Sequence, residues 1–194
     1  EYLKLQGIET MPYEKAEAFL AKVKNDTILL DPNKTSDTIA RTIQNCQVIY
    51  KASPIAIMKA VKNDTQIAGV RNAMVRDGVA LVKLYMWLEE NAPKGNFTEM
   101  DVAEKLIEFR KASPLYVGES FGMIAGYKEH GAIVHYEADE KSASTISAEG
   151  MLLIDTGAQY LDGTTDITRT ISLGKTTAEE RHDYTLVLKG HLTL

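Results

Sequence analysis

The chain has 194 residues, 44% hydrophobic and 25% charged, the balance of a globular protein of one domain or one domain plus part of another. Its net charge of −5 offers no basic face to nucleic acid, and it has no apolar run near the roughly eighteen residues of a membrane span. The single cysteine, Cys46, cannot form an internal disulfide and fits a reduced, cytoplasmic setting, and the opening "EYLKLQGIET" lacks the basic and apolar segments of a signal peptide.

In chain order, Tyr13 to Val23 reads as a helix with Ala16, Phe19, Leu20 and Val23 on one side. "TILLD" (Thr27–Asp31) reads as a short strand ended by the turn signal Asp31-Pro32-Asn33. Ser36 or Asp37 caps a helix carrying Ile39 and Ile43, and Gln47 to Tyr50 is a second strand. This alternation predicts an α/β unit over residues 1–53, with a break at Ala52-Ser53-Pro54 because the residue before proline avoids helix. The second unit, 54–194, begins with helices. Asp64 is expected to cap a long one with Ile67, Val70, Met74, Leu81, Tyr85 and Leu88 inward, ended by Ala92-Pro93. Thr98 with Asp101 opens another, running to about Arg110 with Val102, Leu106 and Phe109 inward.

From Ser120 the runs "FGMIAG", "AIVHY" and "MLLIDTGAQY" read as strands, and "TTDITRTI" (Thr164–Ile171) returns beyond an Asp162-Gly163 turn. Helices followed by antiparallel strands predict an α+β domain. Thr177 with Glu180 starts a last helix carrying Tyr184, Val187 and Leu188. No Gly, Asn or Pro closes it before Leu194, and the chain opens on Glu1 rather than Met, so the expectation is an internal fragment.

Two carboxylates mark the hairpin. Asp155 follows Leu152, Leu153 and Ile154 and is expected in the interior, while Asp166 stands between Thr165 and Ile167. Buried acids are costly, and two together are worse unless hard divalent cations neutralise them. The plain alternative is a pair of ordinary acids flanking a turn. Geometry raises a difficulty for the metal reading. A two-residue loop at Asp162-Gly163 sets Asp166 opposite Gln159, roughly 13 Å along the strand from Asp155. A strong bend or a β-bulge is then needed to join them. His130 reads as a solvated turn residue, His182 as surface, Trp87 and Met86 as core or interface, and Arg169 as a partner for some buried acid.

The run "LLIDTGAQYLDGTTDITRTISLG" (Leu152–Gly174) closely resembles the metal-binding hairpin of aminopeptidase P (Xaa-Pro aminopeptidase), in the creatinase/prolidase superfamily with the pita-bread fold. The resemblance extends upstream through "GAIVHY", "SFGMIAG", the helix ending in "YMWLEE" and "IMKAVKN" (Ile57–Asn63), and downstream through "TLVLKGH". It covers residues 54–194 well, and 1–53 more loosely as the tail of a creatinase-like middle domain. One departure is His130-Gly131, where the family often has Asn-Gly.

The resemblance implies a partial pita-bread catalytic domain preceded by the end of that middle domain. It assigns Asp155 and Asp166 to a pair of divalent ions, usually manganese, with zinc or cobalt as alternatives. His135 would line the substrate site and hydrogen-bond the substrate or the reaction intermediate. Phe121 would stand beside the pocket for the departing residue, and Thr168 would support the ligands from the same strand face as Asp166. The implied reaction is metal-assisted hydrolysis of the bond between an N-terminal residue and proline. Its substrates are peptides with proline second, its setting is cytoplasmic, and the parent protein is a homodimer without nucleic-acid or membrane partners. The family's remaining ligands, one His and two Glu, have no match here, and His191 falls in the last helix instead. The isolated fragment is therefore expected to be inactive. Prolidase, acting on dipeptides only, and a non-catalytic pita-bread binding module are the competing readings.

Overall fold

The computed structural model describes residues 2–194 and divides between Lys62 and Asn63 into two compact units. The first holds helices α1 (Tyr2–Leu5), α2 (Ala16–Leu20), α3 (Asp37–Thr42) and α4 (Pro54–Ala60) and strands β1 (Thr27–Leu30) and β2 (Gln47–Tyr50). The two strands pair in parallel, Thr27 with Gln47 through Leu30 with Tyr50. Ser36 caps α3 by accepting from the Ile39 amide. The expected Tyr13–Val23 helix is shorter: a 3-10 turn at Tyr13–Lys15 leads into α2, and Phe19 is exposed.

The second unit begins with α5 (Asp64–Asn91). Its cap is Asn63, not Asp64: the Asn63 side chain accepts from the Gln66 amide at 2.9 Å, and Gln66 accepts from the Asn63 amide at 3.0 Å. The buried stripe is Gly69, Ala73, Asp77, Ala80, Leu81, Leu84 and Leu88. Ile67, Val70 and Met74, expected inward, are 38%, 37% and 40% exposed. Close approach decides this. A Cβ on Gly69 would lie 2.2 Å from the Asp162 carbonyl oxygen, and one on Gly163 would lie 3.0 Å from Val70 Cα. Only small residues admit a neighbouring hairpin at that distance, so the first turns of α5 bury their smallest face rather than their most apolar one.

Strand β3 (Phe97–Thr98) leads into α6 (Glu99–Lys111), capped reciprocally by Thr98 and Asp101. Three antiparallel groups follow. Strands β5 (Ile124–Tyr127), β7 (Met151–Thr156) and β10 (Ile167–Ser172) lie in the order β10-β7-β5. Strand β4 (Tyr116–Glu119) pairs with β8 (Ala158–Tyr160), which pairs with β9 (Gly163–Thr164), and β3 pairs with β6 (Thr145–Ile146). Leu84 and Leu88 of α5, Val102 and Leu106 of α6 and Leu152 and Ile154 of β7 form one buried core with Ile146. The result is the expected α+β arrangement. "AIVHY" is not a strand: a 3-10 turn at Lys128–Ala132 runs into a bend and turn. Helix α7 (Ala178–Thr193) is capped by Thr177, and Tyr184, Val187 and Leu188 on it are exposed.

Where α5, α6 and the long hairpin meet, an ion pair is sealed from solvent. Arg110 donates from Nε to Asp77 Oδ1 at 2.7 Å and from Nη2 to Oδ2 at 3.0 Å. Asp77 also accepts from Thr165 Oγ1 at 2.6 Å and Tyr160 OH at 3.2 Å. Removing one partner of such a pair leaves a buried charge uncompensated. Asp77→Ala is expected to cost about 3–5 kcal/mol, read as a lowered midpoint in urea unfolding.

Candidate metal centre

The residues from Met151 to Ser172 form one hairpin that passes through two sheets. In the lower part Thr156 pairs with Ile167, Asp155 with Thr168 and Ile154 with Arg169. In the upper part Gln159 pairs with Thr164 and Tyr160 with Gly163. These pairs belong to one unbroken register, so the two-residue loop is Leu161-Asp162 rather than Asp162-Gly163. Asp166 therefore lies opposite Gly157, not Gln159. No bulge is needed in this hairpin: Asp155 and Asp166 are diagonal neighbours on one face, a relation that spans about 7–8 Å between backbones.

Asp155 is not interior. Along β7 the burial alternates, with Leu152, Ile154 and Thr156 turned into the core and Leu153 and Asp155 half-buried on the other face. Asp166 is exposed. Thr168 Oγ1 donates to Asp155 Oδ1 at 2.8 Å, so the directly opposed threonine orients that carboxylate. Among the described residues neither aspartate has a salt bridge to Lys, Arg or His. Both offer the oxygen donors that hard cations take, and Thr168 occupies one lone pair on Asp155 only. The pair thus fits divalent ions chemically. It is a pair and no more, since no cluster of three or more His, Cys, Asp or Glu gathers among the described residues. Arg169 does not join a buried acid: it is exposed, and its guanidinium donates to the Thr168 carbonyl at 2.7 Å.

Strand β5 lies on the other side of β7, with Ile124 opposite Asp155. The chain then folds back over the face that carries Asp155. A Cβ on Gly126 would stand 2.8 Å from Gly131 Cα, and one on Gly131 would stand 3.5 Å from Leu153 Cβ. His135 follows on this segment, exposed and with φ of 56°, the left-handed region that a non-glycine residue seldom adopts. Phe121 is half-buried just before β5. The hairpin thus sets Asp155, Asp166 and Thr168 on one face, and among the described residues neither His135 nor Phe121 hydrogen-bonds to either aspartate.

The segment bearing His135 is fastened by Glu99, a fully buried carboxylate that sequence reasoning missed. It accepts from the Tyr127 amide at 2.7 Å, the Ser144 amide at 2.8 Å, the Tyr136 hydroxyl at 2.8 Å and His130 Nδ1 at 3.0 Å. His130 is therefore not a solvated turn residue. Its side chain is 19% exposed and its ring lies 4.4 Å from that of Tyr136. His182 is exposed as expected; Trp87 packs on the core and Met86 is exposed. At the hairpin tip Asp162 binds Arg76 at 2.9 and 3.0 Å, and Arg76 lies 5.0 Å from the Tyr160 ring centre.

Known proteins share this sequence and fold. Residues 68–194 match metallopeptidase family M24, and residues 1–66 match the creatinase/prolidase N-terminal domain. The chain belongs to metallopeptidase family M24. Its relatives include Xaa-Pro aminopeptidase 1 of Dictyostelium discoideum, 40% identical over 194 residues that cover 97% of this chain and 31% of that protein. Aminopeptidase P2 of Arabidopsis thaliana is 42% identical over 162 residues, covering 83% of this chain and 23% of that protein. The X-prolyl aminopeptidase of Caenorhabditis elegans, described as a cytosolic enzyme with a di-nuclear active site, superposes with a TM-score of 0.82 at 29% identity, over 92% of this chain and 30% of that one. The chain spans at most about a third of the length of these relatives. The resemblance carried by Leu152–Gly174 holds, and the fold is that of the pita-bread aminopeptidases in part. Among the described residues no helix is long and apolar enough to cross a membrane.

Two outcomes test this geometry. Arg76 holds the Asp162 carboxyl below the usual carboxylate range, chiefly through their hydrogen bond. A group with a lowered native pKa stabilises the fold above its unfolded pKa, and that stabilisation is lost as pH falls through the native value. Asp162→Asn should therefore lower the melting temperature near pH 7, and the gap to the parent chain should narrow as pH falls below the usual carboxylate range. Glu99→Ala leaves two amides, a phenol and an imidazole without their common acceptor. Amide hydrogen exchange should then speed up from Tyr127 to Ser144 by about tenfold or more while β7 and β10 stay protected.

Proposed function

We propose that this chain is the part of an Xaa-Pro aminopeptidase that supplies Asp155 and Asp166 to a pair of divalent cations, manganese in the first instance. The single observation that carries the reading is the unbroken hairpin register, which sets both carboxylates on one face as diagonal neighbours with Thr168 bonded to Asp155. The named activity of the Dictyostelium and Arabidopsis relatives and the di-nuclear site described for the Caenorhabditis enzyme support it. The substrates in this proposal are peptides with proline in second place, and the whole protein is a cytoplasmic homodimer.

When bound, the two ions supply Lewis-acid polarisation of the scissile carbonyl and activation of water for attack. The chain's own groups do the rest. Thr168 spends its hydroxyl proton on Asp155 Oδ1, which fixes the carboxylate plane and leaves its other oxygen open. His135, on the segment folded back over the Asp155 face, offers an imidazole that hydrogen-bonds the substrate or the oxyanion of the intermediate. Phe121 gives an apolar wall to the departing residue. Proline has no amide N–H and a fixed φ, so a rigid pocket distinguishes it from other second residues. Two carboxylates without a third ligand among the described residues hold metal weakly, so the 194 residues alone are expected to show no peptidase activity.

The test uses the full-length protein that carries this sequence, loaded with Mn²⁺. It should release the first residue from a tripeptide of the Xaa-Pro-Xaa type, and Asp155→Asn and Asp166→Asn should each lower kcat/KM by at least about 100-fold. His135→Ala should lower kcat with little change in Mn²⁺ affinity. Cleavage of Xaa-Pro dipeptides alone would point to a prolidase. Full activity in both aspartate variants would end the metal reading.

A further inference from the structure

The hairpin changes sheets between Asp155 and Asp166. Below the crossing β7 pairs with β10 on one side and β5 on the other; above it β8 pairs with β9 on one side and β4 on the other. At the crossing the ordinary backbone ladder gives way to side chains. The Thr165 amide donates to the Ala158 carbonyl at 2.9 Å, but the Ala158 amide donates to Thr165 Oγ1 at 2.9 Å rather than to a carbonyl. The Gly157 carbonyl accepts from the Ser120 amide at 3.0 Å and from Arg110 Nη1 at 3.3 Å. Ser120 Oγ donates to the Thr165 carbonyl at 3.1 Å.

Two threonines flank this crossing, and each is the immediate neighbour of a candidate ligand. Thr156 follows Asp155, and its hydroxyl accepts from Arg110 Nη1 at 2.9 Å. Thr165 precedes Asp166, and its hydroxyl donates to Asp77 Oδ2 at 2.6 Å. Arg110 and Asp77 are themselves joined by two hydrogen bonds, and all four residues are at most 1% exposed. Alternation in a strand points Thr156 and Asp155 to opposite faces, and Thr165 and Asp166 likewise. One buried ion pair therefore grips the back of each ligand's neighbour while both carboxylates look out on the other side.

We infer that Arg110 and Asp77 are positioning residues for the metal site, acting through Thr156 and Thr165 to fix the spacing of Asp155 and Asp166. The inference rests on the metal reading above and adds residues to it from α5 and α6, far from the hairpin in sequence. Cation–oxygen contacts tolerate only a few tenths of an ångström, so a backbone free to slide at Gly157 would cost affinity without unfolding the protein. A guanidinium suits this role because its planar fork binds Asp77 with two donors and still reaches Glu119, Thr156 and the Gly157 carbonyl from the third nitrogen.

The experiment is Mn²⁺ affinity, by calorimetry and by manganese paramagnetic resonance, on the metal-free full-length protein. Thr156→Val keeps the side-chain shape and leaves Arg110 Nη1 with Glu119 and the Gly157 carbonyl, so its fold should be retained. It is expected to weaken Mn²⁺ binding about 10-fold, and Arg110→Lys about 10- to 100-fold. Thr156→Ser, which keeps the hydroxyl, should bind as the parent does. A purely structural role would lower the metal-free melting temperature and leave affinity below that temperature untouched. Parental affinity in Thr156→Val and Arg110→Lys, alongside loss in Asp155→Asn, would overturn this inference alone. Parental affinity in Asp155→Asn as well would overturn the metal reading and this inference with it. If Arg110→Lys does not fold, Thr156→Val and Thr156→Ser still decide the matter.

Discussion

The buried Asp77–Arg110 pair is the constraint on which the second unit turns. Taking two charges out of water costs several kcal/mol each, and that cost is offset only when nearly every lone pair and N–H is used. Here they are used. Arg110 donates to Asp77 twice and to Glu119, Thr156 and Gly157, and Asp77 also accepts from Thr165 and Tyr160. Burial and the adjacent Asp77 push the Tyr160 phenol far up, and burial with its bond to Glu119 pushes that of Tyr116 up to about 12. Both phenols therefore remain donors at any physiological pH. Such a network adds little net stability over an apolar core, but it allows one arrangement of α5, α6, β4 and the hairpin and penalises the others.

How much of this the sequence disclosed depends on which force won locally. The helix starts at Thr98 and Thr177 were legible because capping is a local interaction between residues three apart. The hairpin loop was misplaced by one residue because Asp-Gly is also useful for other reasons. Asp162 is spent on Arg76, and Gly163 is spent on its approach to Val70. Neither use can be seen without α5 in place. The slip moved Asp166 two positions along the partner strand and kept it on the same face, so it changed the distance between the aspartates and not their orientation. In the same way, "AIVHY" has the composition of a strand, yet the close packing of Gly126 on Gly131 and the pull of Glu99 on Tyr136 turn it back.

The residues that sequence reasoning missed share one signature. Asp77 interrupts the small and apolar stripe of α5 between Ala73 and Ala80, Arg110 stands four residues after Leu106 on the buried face of α6, and Glu99 stands three before Val102. A charge on the inward face of an amphipathic helix is expensive, so its presence signals a partner. Asp77 and Arg110 have opposite signs on successive helices, and that pairing was open to inference. Glu99 was not, since two of its partners are backbone amides that any sequence supplies, and the Tyr136 hydroxyl and His130 ring reach it from a distant loop.

Buried and exposed charges divide the labour around the hairpin. Asp77, Arg110 and Glu99 are hidden and fully partnered, whereas Asp155 is half-buried and Asp166 exposed. Water screens the repulsion between the two outward carboxylates, so the fold does not require a cation to hold them together, as a structural zinc site would. The two outward aspartates therefore sit on a hairpin whose fold is independent of whether a cation binds them. What the structure fixes is the back of the hairpin, where Thr156 bonds Arg110 and Thr165 bonds Asp77 away from solvent.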